Sequence, residues 1–150
     1  MRLRVLPARD TEPAMSQENV ELVSRVYGDF GLSPRLVEAA AQAGLIAPDA
    51  EFDYSALLPD GPVVRGVEAW AEHADSAPWG RSLQLALERI FDLDDERVLV
   101  FVRSRAEGEG SGAAVEGRTA TEFTIRDGII VRIKLYKDRT EALKAAGLSE

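Results

Sequence analysis

The chain changes its hydrophobic period halfway along, and that switch constrains the fold more than any other feature. Up to Pro78 apolar residues recur three and four apart; from Ser82 onward they alternate with polar ones. The first pattern belongs to helices and the second to half-buried strands. Val20, Val23, Val26, Tyr27 and Phe30 mark one face of a first helix, with Ser16 as its expected N-cap, Glu18 and Glu21 near its first turn, and Gly31 as its stop. A second helix is expected with Ser33 as cap, Pro34 in the first position and Gly44 at the end, its buried side being Leu36, Val37 and Ala40. A third follows Arg65-Gly66, carries Val67, Trp70 and Ala74 on one face, and ends near Pro78. Between the second and third, residues 50–54 alternate as a short strand, with Phe52 and Tyr54 on one face and Asp53 on the other; residues 57–62 carry turn chemistry in Pro59-Asp60-Gly61-Pro62.

In the second half Leu83, Leu85 and Leu87 alternate, and residues 92–96 form an acidic turn. Residues 98–105 are rich in β-branched and aromatic side chains and read as a long central strand. The segment 107–112 (EGEGSG) is a hairpin loop, 115–125 the returning strand, and Arg126-Asp127-Gly128 a tight turn into 129–136. Asp138 with Glu141 three residues on predicts a capping box for a short last helix, closed by Gly147. Helices first and a meandering antiparallel sheet afterwards define the α+β class.

At 150 residues, 45% of them hydrophobic, the chain suits one compact domain with a core of its own. Residues 1–15 read as a flexible leader and 16–148 as the domain, with Met15 a candidate start. The leader holds three arginines and two prolines, and its apolar stretch, Val5 and Leu6, is too short for the roughly 7–15 residues of a secretory core. There is no cysteine, which excludes disulfides, thiolate zinc sites and cysteine nucleophiles and fits a reducing cytoplasm. A single histidine makes a transition-metal site unexpected, and no cofactor is implied, because the glycine-rich segment lies between strands rather than before a helix. The net charge of −8 without a basic stripe argues against nucleic acid, and no apolar run approaches the roughly 20 residues that cross a bilayer.

Several segments, taken in order, resemble the SnoaL-like proteins of the NTF2-like superfamily. They are Met15-Ser-Gln-Glu-Asn-Val-Glu-Leu-Val, Arg65-Gly66-Val67-Glu68-Ala69-Trp70, Ser111-Gly112, and the run from Ile125-Arg-Asp-Gly through Tyr136-Lys-Asp-Arg-Thr-Glu-Ala-Leu to Gly147-Leu148. The resemblance covers nearly everything after residue 15. It implies a cone-shaped NTF2-like (cystatin-like) fold, in which a curved antiparallel sheet wraps around three helices and a short helix follows, and a homodimer formed through the outer sheet face. At residues 31–35, where the family often has an Asp, this chain reads Gly31-Leu32-Ser33-Pro34-Arg35. The fold hosts many chemistries, so function has to be argued from the site.

The familiar catalytic sets fail residue by residue. The base position of the ketosteroid-isomerase branch falls on Tyr54, its tyrosine position near Val26, and Asp53 points to the other face. The carboxylate of the limonene-epoxide-hydrolase-like branch is replaced by Leu135. Two acid–base candidates remain, Glu122 and His73. Glu122 is a proton shuttle if it faces inward and a surface ion-pair partner of Arg103 or Lys134 if it does not; His73 is either a pocket-rim acid/base or an exposed helix residue. The expected ligand pocket comprises Tyr27, Phe30, Tyr54, Trp70, Trp79, Arg103 and Phe123. The resulting expectation is a protein that binds a small apolar or aromatic organic molecule. The alternatives are a cofactor-independent isomerase or cyclase and a protein-binding module using the outer sheet face.

Overall fold

The computed structural model describes residues 5–7, 14–31, 36–75, 84–107 and 114–148. In chain order the elements are β1 (Val5–Pro7), α1 (Ala14–Phe30), α2 (Leu36–Gln42), β2 (Ile46–Ala56), β3 (Val63–Arg65) and α3 (Val67–Asp75). They are followed by β4 (Gln84–Asp92), β5 (Arg97–Glu107), β6 (Ala114–Arg126), β7 (Ile129–Tyr136) and α4 (Arg139–Ala145). This is the expected α+β order. The expected caps Ser33 and Pro34, the tip of the β5–β6 hairpin and Pro78 fall outside the described residues.

The strands form one curved, open sheet in the order β1-β4-β5-β6-β7-β2-β3. Strands β4 to β7 make the antiparallel meander that the period of two predicts. Parallel pairings join β2 to β7 and β1 to β4. Val5–Pro7, expected to be part of a flexible leader, therefore contributes a short edge strand. Ser16, expected to cap α1, lies within it, because the helix begins at Ala14.

Strand parity sends each side chain to one of two faces. The inner face packs beneath α1, α2 and α3. There Phe52, Leu87, Ile90, Val98, Val100, Ile125 and Ile130 are almost wholly buried with Val23, Val26 and Ala40 of the helices. Burying each of the larger ones contributes about 1.5–3 kcal/mol. The outer face holds a smaller core of Phe91, Leu99, Phe101, Ala120 and Tyr136, covered by Ala142 and Leu143 of α4. Strand β5 is buried on both sides, which explains its near-continuous apolar run.

The ends of the elements are tied by specific polar contacts. Asn19 Nδ2 donates to the Asp95 carbonyl at 2.7 Å, joining α1 to the β4–β5 turn. That turn is organised by Asp94, which accepts from the backbone N–H groups of Glu96 and Arg97. Gly31 ends α1 as expected, donating to Tyr27 O while its carbonyl accepts from Leu85 N; a Cβ there would run into the carbonyl oxygens of Tyr27 and Leu85. Asp138 caps α4 by accepting from Thr140 N at 2.8 Å, and Gly147 closes it at φ +78°. The β6–β7 turn uses Asp127 and Gly128, both at positive φ.

Candidate functional site

The inner face of β2, β7 and β6 places one row of side chains beneath the helices. Asp53 pairs with Lys134 and Ala56 with Tyr136, so Tyr54 stands beside Leu135; Leu135 in turn pairs with Thr121. Tyr54 and Thr121 are thus two strands apart, roughly 10 Å at the usual strand spacing. Leu135 between them lies on a central strand of the inner face, yet it is only half-buried. The helices therefore do not cover it completely.

Two hydroxyl stations flank Leu135. At one, the indole Nε1–H of Trp70 donates to Tyr54 Oη at 2.7 Å. The Trp70 ring also lies 5.6 Å from Phe52, and His73, one turn along α3, has its ring centroid 5.0 Å from that of Tyr54. The i, i+3 spacing of Trp70 and His73 brings both rings to the side of α3 that meets β2. At the other station, the Tyr27 hydroxyl shares a hydrogen bond with Thr121, and its ring meets Phe123 edge-on at 6.1 Å. Burial raises the pKa of Tyr27 well above the ordinary phenol value, against a smaller lowering by Thr121. Burial also raises that of Tyr54, opposed by the Trp70 hydrogen bond. Both phenols are neutral donors across the physiological range.

Five of the seven expected pocket residues, Tyr27, Phe30, Tyr54, Trp70 and Phe123, join one apolar cluster. Trp79 lies outside the described residues. Arg103 is corrected: it is exposed on the outer face, where it pairs with Glu88 at 3.4 Å. Glu122 is likewise corrected. It alternates with Thr121 and Phe123, both inward, so it points outward to Arg97 at 3.9 Å and stands opposite Lys134. Adjacent residues of a strand face opposite ways, so Glu122 and Phe123 cannot share a pocket. His73 is half-buried, with its ring beside that of Tyr54.

The outer face of the same strands carries charge instead. Arg132 donates to Glu51 and Asp53, both at 2.9 Å, and Arg65 reaches Glu51 at 3.1 Å. Burial pushes the Asp53 carboxyl upward, but hydrogen bonds from Ser55 and the charges of Lys134 and Arg132 prevail and hold it below its usual range. Thr121 is the residue of this row that the sequence left unnamed, and Phe52 and Leu135 were outside the expected pocket set. Their signal was parity, since Thr121 shares a face with Phe123 and Phe52 with Tyr54.

No family model and no curated protein matches the chain. Solved structures do. A SnoaL-like protein of the polyketide-cyclase type from Jannaschia sp. CCS1 superposes with a TM-score of 0.64 at 18% identity, over 95% of this chain and 100% of that one. TerC, co-crystallized with polyporic acid, matches at 0.61 and 20%, over 87% and 98%. A Mycobacterium tuberculosis protein in complex with estradiol-17β-hemisuccinate matches at 0.51 and 22%, over 71% and 95%. At such identities the likeness establishes architecture. The chain shares the NTF2-like fold of these structures. Among the described residues no helix is long and apolar enough to cross a membrane, and no cluster of three or more His, Asp or Glu side chains is placed to hold a metal.

Proposed function

We propose that the inner face over Leu135 binds a small, mainly apolar organic molecule carrying a carbonyl or phenolic oxygen. The observation that carries this is the half-exposure of Leu135 in the middle of the inner face, between Tyr54 and Thr121. Tyr54 would supply the polar contact. Its oxygen accepts from Trp70, which leaves its own proton to give, and such a chain of donors strengthens the outgoing bond. Aromatic walls from Tyr27, Phe52, Trp70 and Phe123 suit a flat ligand body. Two proteins of the same fold have been crystallised with organic molecules, polyporic acid in one and estradiol-17β-hemisuccinate in the other.

The test is a titration with 2-naphthol and with naphthalene, followed by amide NMR. Tyr54→Phe is expected to weaken 2-naphthol about tenfold, the cost of one good hydrogen bond, and to leave naphthalene unchanged. Equal affinities for 2-naphthol in the two proteins would remove Tyr54 from the site.

A second reading is favoured by the 5.0 Å approach of the His73 and Tyr54 rings. In it the protein is a cofactor-independent isomerase or cyclase, with His73 moving a proton next to a carbonyl held by Tyr54. His73→Gln abolishing turnover of a bound ketone while preserving its binding is the expected outcome. A homodimer through the part of the outer face that α4 leaves uncovered, and a reducing cytoplasmic location, complete the proposal; the former is tested by native mass.

A further inference from the structure

We infer that the chain carries a second, separate ligand site on its outer side, a groove that takes a small organic anion with an apolar tail. The groove has a volume of about 700 Å³, within the range of small-molecule sites. One wall is the end of β2 and the following loop, Ser55 to Pro59, where Leu58 leaves 42% of its surface exposed. The other wall is the end of β6 and the entry to α4, including Arg118, Lys137 and Arg139.

Charge selects the head group. Ala120 pairs with Tyr136 at the close of the β6–β7 ladder, so Arg118 on β6 and Lys137 in the bend after β7 lie just past it, and both are exposed. Lys137 N donates to Ala56 O at 3.1 Å, which fixes the cationic wall against the apolar one. Arg118 also stands directly opposite Arg103 across β5 and β6, a like-charge pairing that costs stability unless something answers it. Glu88 answers it only in part. This one carboxylate bonds Arg139, ion-pairs with Arg103 and feels the field of Arg118. The hydrogen bond from Arg139 outweighs burial there and, with those three positive charges, keeps Glu88 below its usual pKa.

Three guanidiniums on one carboxylate leave the cluster positive, in a chain whose net charge is −8. The two acids of the groove stand at its α4 side. Asp138 is turned to its capping bond with Thr140, and Glu141 lies on α4 beyond it. An anionic head beside Arg118 and Lys137, with its tail on Leu57, Leu58 and Pro59, satisfies both walls. Arg118 lies on the opposite face of the sheet from Leu135, so this site is tested separately from the one proposed there.

The probe is 3-phenylpropionate, with 3-phenylpropanamide as its neutral match, titrated into the whole chain and followed by amide NMR. The acid is expected to shift the amides of residues 55–58, Arg118 and Lys137, and to bind at least about tenfold more tightly than the amide. Arg118→Gln and Lys137→Gln, exposed positions whose loss leaves the fold intact, should each weaken the acid about tenfold. Absence of shifts in the groove at millimolar acid, equal binding of acid and amide, or unchanged affinity in both variants would each overturn the inference.

Discussion

Strands β2, β6 and β7 present two chemistries on two faces. Inward they offer Phe52, Tyr54, Thr121, Phe123 and Leu135; outward they offer Glu51, Asp53, Glu122, Arg132 and Lys134. The inner set is aromatic and hydroxylic, with its polar atoms spent on two tyrosine-centred hydrogen bonds. The outer set is a row of opposite charges that neutralise one another. What the contrast teaches is that the acids of this sheet serve its surface, while its inner face holds neutral donors. A ligand there would be recognised by shape and by a proton given, rather than by a carboxylate.

The largest effect should come from the inner core. Phe52→Ala, at a position 1% exposed, is expected to cost about 3–5 kcal/mol in urea unfolding. Leu143→Ala, which loosens α4 on the outer face, should cost about 2–3 kcal/mol, toward the low end of its class, because the site can collapse at the end of a short helix. A reversed order would mean that the outer core, and not the inner one, dominates stability.

Arg132→Leu removes the partner of two carboxylates, one of them the buried Asp53, and should destabilise by about 1–3 kcal/mol. The pH dependence sharpens this. The folded pKa of Asp53 lies below its unfolded value, so its contribution is complete above about pH 4 and is lost as pH falls through the folded value. Asp53→Asn should therefore be less stable than the parent at pH 7 and lose less on acidification below pH 4. Parallel losses in the two proteins would contradict the pairing.

The smallest effect should be at Glu122. Its Arg97 contact is long, and Arg97 is bonded more closely to Asp94 at 2.7 Å. Glu122→Gln should change stability by about 1 kcal/mol or less and leave ligand binding untouched. A large loss of binding would return Glu122 to the site.

Much of the fold is legible in the sequence because it is local. Alternation marks β4 to β7, Asp127-Gly128 marks their last turn, and Asp138 marks the α4 cap. Strand β2 was legible only as residues 50–54; it runs from Ile46 to Ala56 because β7 supplies a parallel partner more than 70 residues away in the chain. Strands β1 and β3 are three residues each and exist through their neighbours, so no periodicity announces them. The aromatic members of the site were legible from bulk and spacing. Leu135 was not, since its half-exposure records what fails to cover it. Glu122 and Arg103 were drawn inward by their chemistry, although parity with Phe123 already opposed it for Glu122.

The central claim is that ligand enters over Leu135, and methyl NMR reads it directly. With leucine methyls labelled, 2-naphthol is expected to shift Leu135 of the inner face, while the exposed Leu58 of the outer groove stays still. A shift of Leu58 with Leu135 unmoved at saturation would contradict the account.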